Sequence, residues 1–316
     1  MLETAVGNVE VIAASVRGRS HADVGKPRDD AFHFEFDKET GWNFVAVADG
    51  GGSAKYSRKG SELACKTVIE TLRKSLTIEY NSKCLDETSE SLRRWKENTS
   101  NPASEDIKAS RLSEVFHSAI HSAWTAIHEE STRKEARIND YNTTLLCAAF
   151  RYLAELKTWF IVSYWVGDGG AAIIERLAAN SSDSSAIVLG KPDSGEFVGQ
   201  TRFLTMKDEI TAESIHKRLR FSFCDSFAAM LLVTDGITDP FFPSDAAVGE
   251  EKRWLEFYEN TLPNGSKTPE AVAVKELHDA AKTPQEKAEA LLNWLNFWSV
   301  GNHDDRTILI VQPQKS

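Results

Sequence analysis

Phe44-Val45-Ala46-Val47-Ala48-Asp49-Gly50-Gly51-Gly52-Ser53 is an apolar run that stops on a carboxylate and three glycines. A short, partly β-branched run bounded by glycine reads as a buried strand ending in a tight turn. Asp49 then stands at the strand tip, beside backbone that has no side chains to obstruct a ligand. The same pattern recurs at Leu231-Leu232-Val233-Thr234-Asp235-Gly236 and at Tyr164-Trp165-Val166-Gly167-Asp168-Gly169. One Asp-Gly turn is ordinary, because both residues favour turns. Three, each fed by an apolar strand, point to a shared carboxylate site.

Upstream of this stretch, residues 9–16 read as a first strand and 31–36 as a second, joined by a polar loop with two glycines and a proline. Downstream, Ala64, Val68, Leu72 and Leu76 recur every four residues, the buried stripe of an amphipathic helix. Leu112, Phe116, Ala119, Ala123 and Ile127 mark a second helix; His117, His121 and His128 lie off its stripe, on a solvated face. Between the two helices, residues 80–105 form a polar, partly helical excursion. Residues 143–152 and 159–166 predict consecutive strands, and 167–170 predict a hairpin into a strand at 171–174. Residues 180–211, rich in Ser, Gly and charge, predict a mobile surface segment. A strand at 230–234, a helical block at 250–298 and a last strand at 307–311 complete the chain.

Short strands in hairpin order, interrupted by helices, favour antiparallel sheets with helices outside over a doubly wound parallel sheet. Convergence of turns near residues 30, 49, 235 and 304 predicts a single domain over residues 1–316. The 41% hydrophobic content is ample for a core. A formal charge of -10 argues against a nucleic-acid partner, since phosphate backbones need a basic surface. No apolar run is long enough for a membrane helix. The four cysteines (Cys65, Cys84, Cys147, Cys224) are scattered and read as reduced thiols of a cytoplasmic protein.

The acidic residues at the turns are Asp29, Asp30, Asp49, Asp168, Asp235, Asp304 and Asp305. Clustered carboxylates repel one another unless cations or protons neutralise them. An all-oxygen donor set suits Mg2+ or Mn2+ better than zinc.

Taken in order, Arg28-Asp29-Asp30, Asp49 to Ser53, Asn142-Thr143-Thr144, Gly167-Asp168-Gly169, Thr234-Asp235-Gly236 and Asp304-Asp305-Arg306-Thr307 resemble the motif series of type 2C metal-dependent protein serine/threonine phosphatases. The likeness is nearest to a bacterial branch, through Ser20-His21 and Ser53 to Ser57, and runs from about Val11 to Val311. It implies a four-layer α-β-β-α sandwich with the metals at one end. It implies two ions, Mn2+ or Mg2+, bridged by Asp49, with the Gly50 carbonyl helping one and Asp235 and Asp304 holding the other. Asp30, with Asp29 before it, would orient metal-bound water, and Asp168 matches the position of a weaker third ion. The implied reaction is attack of a metal-bridging water on phosphoserine or phosphothreonine of a protein substrate, opposing a serine/threonine kinase.

Two positions depart from the family's pattern. Gly51 replaces a histidine that serves as proton donor, with His303 and His21 as alternative donors. Gly25 replaces an arginine that contacts substrate phosphate, leaving Arg19, Lys26 and Arg28 as substitutes. These departures also leave open a weakly active regulatory module binding metal or phosphoprotein, or a hydrolase of small phosphomonoesters.

Overall fold

The computed structural model describes residues 2–6, 9–79, 92–93, 96–97, 111–175, 185–193, 201–259, 274–278, 282–299 and 301–313. Its strands are, in chain order, β1 (Leu2–Val6), β2 (Val9–Val16), β3 (Ala31–Phe36), β4 (Asn43–Ala48), β5 (Leu145–Leu153) and β6 (Thr158–Val166). They continue with β7 (Gly170–Glu175), β8 (Ala186–Gly190), β9 (Leu219–Cys224), β10 (Phe227–Val233) and β11 (Arg306–Pro313). Two sheets result, of order β1-β2-β11-β10-β7-β8 and β3-β4-β5-β6-β9. Neighbours in both are antiparallel.

Strand period decides the layering. On β4, Val45 and Val47 face the other sheet and pack with Val11, Met230, Leu232 and Leu309. The alternate residues Phe44, Ala46 and Ala48 face the helices α2 (Ser57–Arg73) and α3 (Arg111–Arg133), meeting Val68, Leu72 and Phe116. A strand buried on both faces reads as a near-continuous apolar run, as this one does from Phe44 to Ala48. The outer face of the first sheet is covered likewise: Ala14, Leu231 and Ile310 join Trp254 of α7 (Glu251–Glu259) and Leu291 of α8 (Pro284–Trp294). Thr283 caps α8 reciprocally with Glu286, and Pro284 sits in its first turn. The resulting four layers match the expected sandwich. The shorter helices are α1 (Arg19–Asp23), α4 (Ala212–Lys217), α5 (Asp235–Phe241) and α6 (Asp245–Val248).

Three readings of the sequence are corrected. β6 and β7 do not form a hairpin, because they belong to different sheets and the turn around Asp168 carries the chain across the sandwich. Residues 180–211 include a true sheet strand, β8, and a 3-10 turn, Lys207–Ile210. Strands β1 and β9 add to those the sequence predicts. The polar excursion at 80–105 falls largely outside the described residues, as does the middle of the helical block.

Register brings the acidic turns together. Ala31 pairs with Ala48, so Asp30 and Asp49 emerge side by side. Val233 pairs with both Gly170 and Ile308, which gathers the turns carrying Asp168, Asp235 and Asp304 at the same end.

Candidate active site

Asp49 follows the last residue of β4, and its main chain is pinned on both sides. Its N–H donates to Thr144 Oγ1 at 2.8 Å, and its carbonyl accepts from Thr144 N–H and Thr143 Oγ1, both at 2.9 Å. Asp49, Asp168 and Asp235 each offer a carboxylate oxygen within 4.8 Å of the others. Asp30 is fully buried behind them. Its Oδ2 accepts from Thr307 Oγ1 at 2.6 Å and Thr234 Oγ1 at 2.9 Å, tying it to the two central strands of the other sheet. Asp168 Oδ2 accepts from Thr201 Oγ1 at 2.5 Å. The glycine of Asp235-Gly236 is sterically required: a Cβ there would collide with the Asp305 carbonyl.

The electrostatics are those of a carboxylate cage. Burial pushes Asp30 up to about 7, against the hydrogen bonds from Thr307 and Thr234. Burial also raises Asp49, helped by the charges of Asp235 and Asp30; it raises Asp235, helped by Asp168 and Asp304. Asp168 is raised by burial too. Three buried oxygens, Asp30 Oδ1, Asp168 Oδ1 and Asp235 Oδ1, receive no hydrogen bond among the described residues. A buried carboxylate oxygen without a donor is costly, and a hard cation relieves that cost for all of them at once. These residues therefore fit a divalent ion.

Asp304 lies near enough to raise Asp235, and its Oδ1 accepts from the Asp305 N–H at 2.8 Å. Asp29 is turned elsewhere: its Oδ2 accepts from Ser57 Oγ at 2.7 Å and lies 3.6 Å from His21 Nε2. Asp305, 1% exposed, is a structural clamp. It accepts from Gly18 N–H at 2.6 Å and Asp29 N–H at 2.5 Å, and bonds His21 Nδ1 at 3.0 Å. Its oxygens are thus occupied by protein donors. Asp305→Ala would leave two backbone N–H groups and a histidine without their acceptor. It is expected to destabilise the fold by about 3 kcal/mol in urea denaturation; a loss below ~1 kcal/mol would contradict the clamp.

Among the substitute cations, Arg19 and Lys26 are exposed, whereas Arg28 is half-buried and close enough to feel Asp30 and Asp305. Arg28 Nη1 donates to the Ser15 carbonyl at 3.2 Å. Of the alternative proton donors, His303 is exposed and His21 is enclosed by Asp305 and Asp29.

Sequence reasoning missed three kinds of residue. Thr144, which pins the main chain of Asp49, and Thr234 and Thr307, which bond the Asp30 carboxylate, stand in the quoted motifs, but their holding roles were not read from the sequence. Asp239 lies one helical turn after Asp235 on α5; burial of its carboxyl and the charges of Asp168 and Asp245 push it up to about 6. Its i, i+4 spacing was legible. Phe203 gave no local signal, yet its ring edge touches Gly51: a Cβ there would stand 3.1 Å from Cε1 and Cζ. A side chain at position 51 would crowd this ring and the Asn142 Cβ, so the ring would have to give way slightly.

A solved phosphatase from Toxoplasma gondii superposes with a TM-score of 0.52 at 13% identity, over 99% of this chain and 95% of that one. A C. elegans sex-determining protein gives 0.50 at 13% identity, over 98% and 66%. The serine/threonine phosphatase Stp1 from Staphylococcus aureus aligns over 100% and 96% at 14% identity, with a TM-score of 0.47. At such identities the first two likenesses concern the fold alone. No curated protein matches the chain in sequence. The family profile for protein phosphatase 2C matches residues 17–295, and the chain accordingly belongs to this family of metal-dependent protein serine/threonine phosphatases.

Proposed function

We propose that the carboxylates of Asp49, Asp168 and Asp235, with Asp304 and the Gly50 carbonyl beside them, hold two divalent ions, Mn2+ or Mg2+, and a weaker third at Asp168. The observation that carries this is the set of three donorless buried carboxylate oxygens around Asp49. When bound, such ions supply an acidified water for attack and counter-charge for the phosphoryl oxygens.

The chain's own residues do the rest. Asp30, anchored by Thr234 and Thr307, presents its remaining oxygen to the centre as an acceptor that orients the attacking water. Arg28 approaches from the first loop and offers a guanidinium for the substrate phosphate. Asp29 works through the His21–Asp305 clamp, positioning Asp30 rather than touching substrate. One domain carries all of these parts. The substrate is a phosphorylated protein, and the partner activity is the serine/threonine kinase that installs the phosphate. Among the described residues no helix is long and apolar enough to cross a membrane. The assembled carboxylates favour turnover over a purely binding module.

Phosphate release from phosphoserine and phosphothreonine peptides should vanish with a chelator and return with Mn2+ or Mg2+. Calcium, which prefers more ligands at longer distances, should bind without restoring it. Full release by thoroughly chelated protein would contradict the assignment.

A further inference from the structure

The histidines of α3 have a spacing of their own. His117 and His121 are four residues apart, so one turn of the helix carries both to the same face. Their ring centres lie 6.3 Å apart and the rings are inclined by 28°. Trp124 continues the row, stacking on His128 at 5.0 Å while its Nε1–H donates to the Thr205 carbonyl at 3.4 Å. A third imidazole arrives from another element. His216 stands near the end of α4, close enough to His117 to act on its protonation. Partial burial of His117, with His121 and His216 beside it, holds its imidazole below the ordinary histidine value, so the ring is largely neutral at pH 7. Among the described residues the ring nitrogens of His117 and His216 have no hydrogen bond or ion pair.

His121 is held by its own turn of helix. The Thr125 hydroxyl gives its hydrogen to the His121 carbonyl at 2.9 Å, so across its 3.4 Å contact with His121 Nδ1 it can only accept. In the neutral ring Nδ1 therefore carries the proton and Nε2 keeps its lone pair, the tautomer a metal ligand needs. We infer that His117, His121 and His216 form a second metal site, joining α3 to α4, that takes a borderline ion such as Zn2+ through three imidazole nitrogens.

The site shares no ligand with the carboxylate cage. Imidazole suits zinc, copper and nickel, whereas Mg2+ and Mn2+ go to carboxylates, so the two sites sort ions by donor. Zinc–nitrogen bonds of about 2 Å on a tetrahedral ion put neighbouring ring centres about 5 Å apart. A turn of the exposed His121 side chain closes the difference from the 6.3 Å observed, and three protein ligands leave a fourth position for water. The six residues of α4 are too few to be stable as an isolated helix. An ion held in common ties this short helix to the 23 residues of α3.

Calorimetric titration of the full chain with Zn2+, in saturating Mg2+ to occupy the carboxylates, tests the site. Each of His117→Ala, His121→Ala and His216→Ala should weaken one Zn2+ site by about tenfold or more, while His128→Ala, on the same helix beyond Trp124, leaves it intact. His117→Gln keeps much of the side-chain bulk without the imidazole and should weaken it equally, which separates lost ligation from lost packing. Zn2+ should also raise the Tm of the natural chain by on the order of a few degrees, and the rise should shrink in the three alanine variants. Asp49→Asn should keep the histidine site, so its presence is read independently of the carboxylate centre. An unchanged Zn2+ affinity in any one of His117→Ala, His121→Ala and His216→Ala would overturn the three-histidine site, as would an equal loss in His128→Ala.

Discussion

Asp49→Asn is expected to lower kcat by several orders of magnitude in Mn2+ while leaving the protein folded. The substitution keeps the shape of the side chain and removes the charge around which Asp30, Asp168 and Asp235 are arranged. The main-chain bonds that pin Asp49 come from Thr143 and Thr144, and they do not depend on its side chain. Loss of a buried negative charge relieves repulsion, so the metal-free variant should melt at or above the temperature of the natural metal-free chain. Affinity for Mn2+ should fall with the activity, and calorimetric titration measures it independently of turnover. Near-normal kcat in a folded variant would eliminate the centre as described.

The second large effect is on stability against pH in the metal-free protein. The ordinary carboxylate value is 3.8, and in the fold Asp30 is raised to about 7 and Asp239 to about 6; Asp49, Asp168 and Asp235 are raised as well. Between these limits the folded protein holds more protons than the unfolded chain. Their contribution is therefore fully present below the ordinary value and is lost as pH rises through the folded values. The metal-free protein should lose stability on the order of several kcal/mol between pH 5 and pH 8. Saturating Mn2+ or Mg2+ should reverse the trend, because binding requires the ionised form; at a hundredfold excess over Kd it adds about 2.7 kcal/mol. Urea denaturation at both pH values, with and without ions, decides the matter. A metal-free protein more stable at pH 8 than at pH 5 would refute the carboxylate cage.

The fold was legible wherever residues bury themselves by local pattern. The run ending at Asp49 is apolar on both faces because β4 lies between the other sheet and two helices, and no other environment explains six consecutive buried residues. The four-residue recurrence of α2 and α3 was equally plain, since each helix buries one stripe. β9 escaped notice because it follows α4 directly and mixes Arg220 and Ser222 among its apolar residues. The supposed hairpin at Asp168 failed for another reason. Two apolar strands joined by a glycine turn look alike whether they pair with each other or part to separate sheets.

By itself the sequence determined which residues to single out: carboxylates at strand tips, in an order shared with a phosphatase family. Hydrophobic period and turn residues, which act over a few positions, favoured antiparallel sheets with helices outside, and the family resemblance implied their stacking as a sandwich. Only the tertiary structure decided how those carboxylates divide their work. Asp29 and Asp305 are adjacent to Asp30 and Asp304 in the chain, yet one bonds Ser57 and the other closes a clamp on Gly18 and His21. Alternation of side chains along an extended backbone sends neighbours to opposite sides, and only the packed sheets fix which side is the site. The same holds for Phe203, whose contact with Gly51 spans about half the chain and leaves no mark on either local sequence.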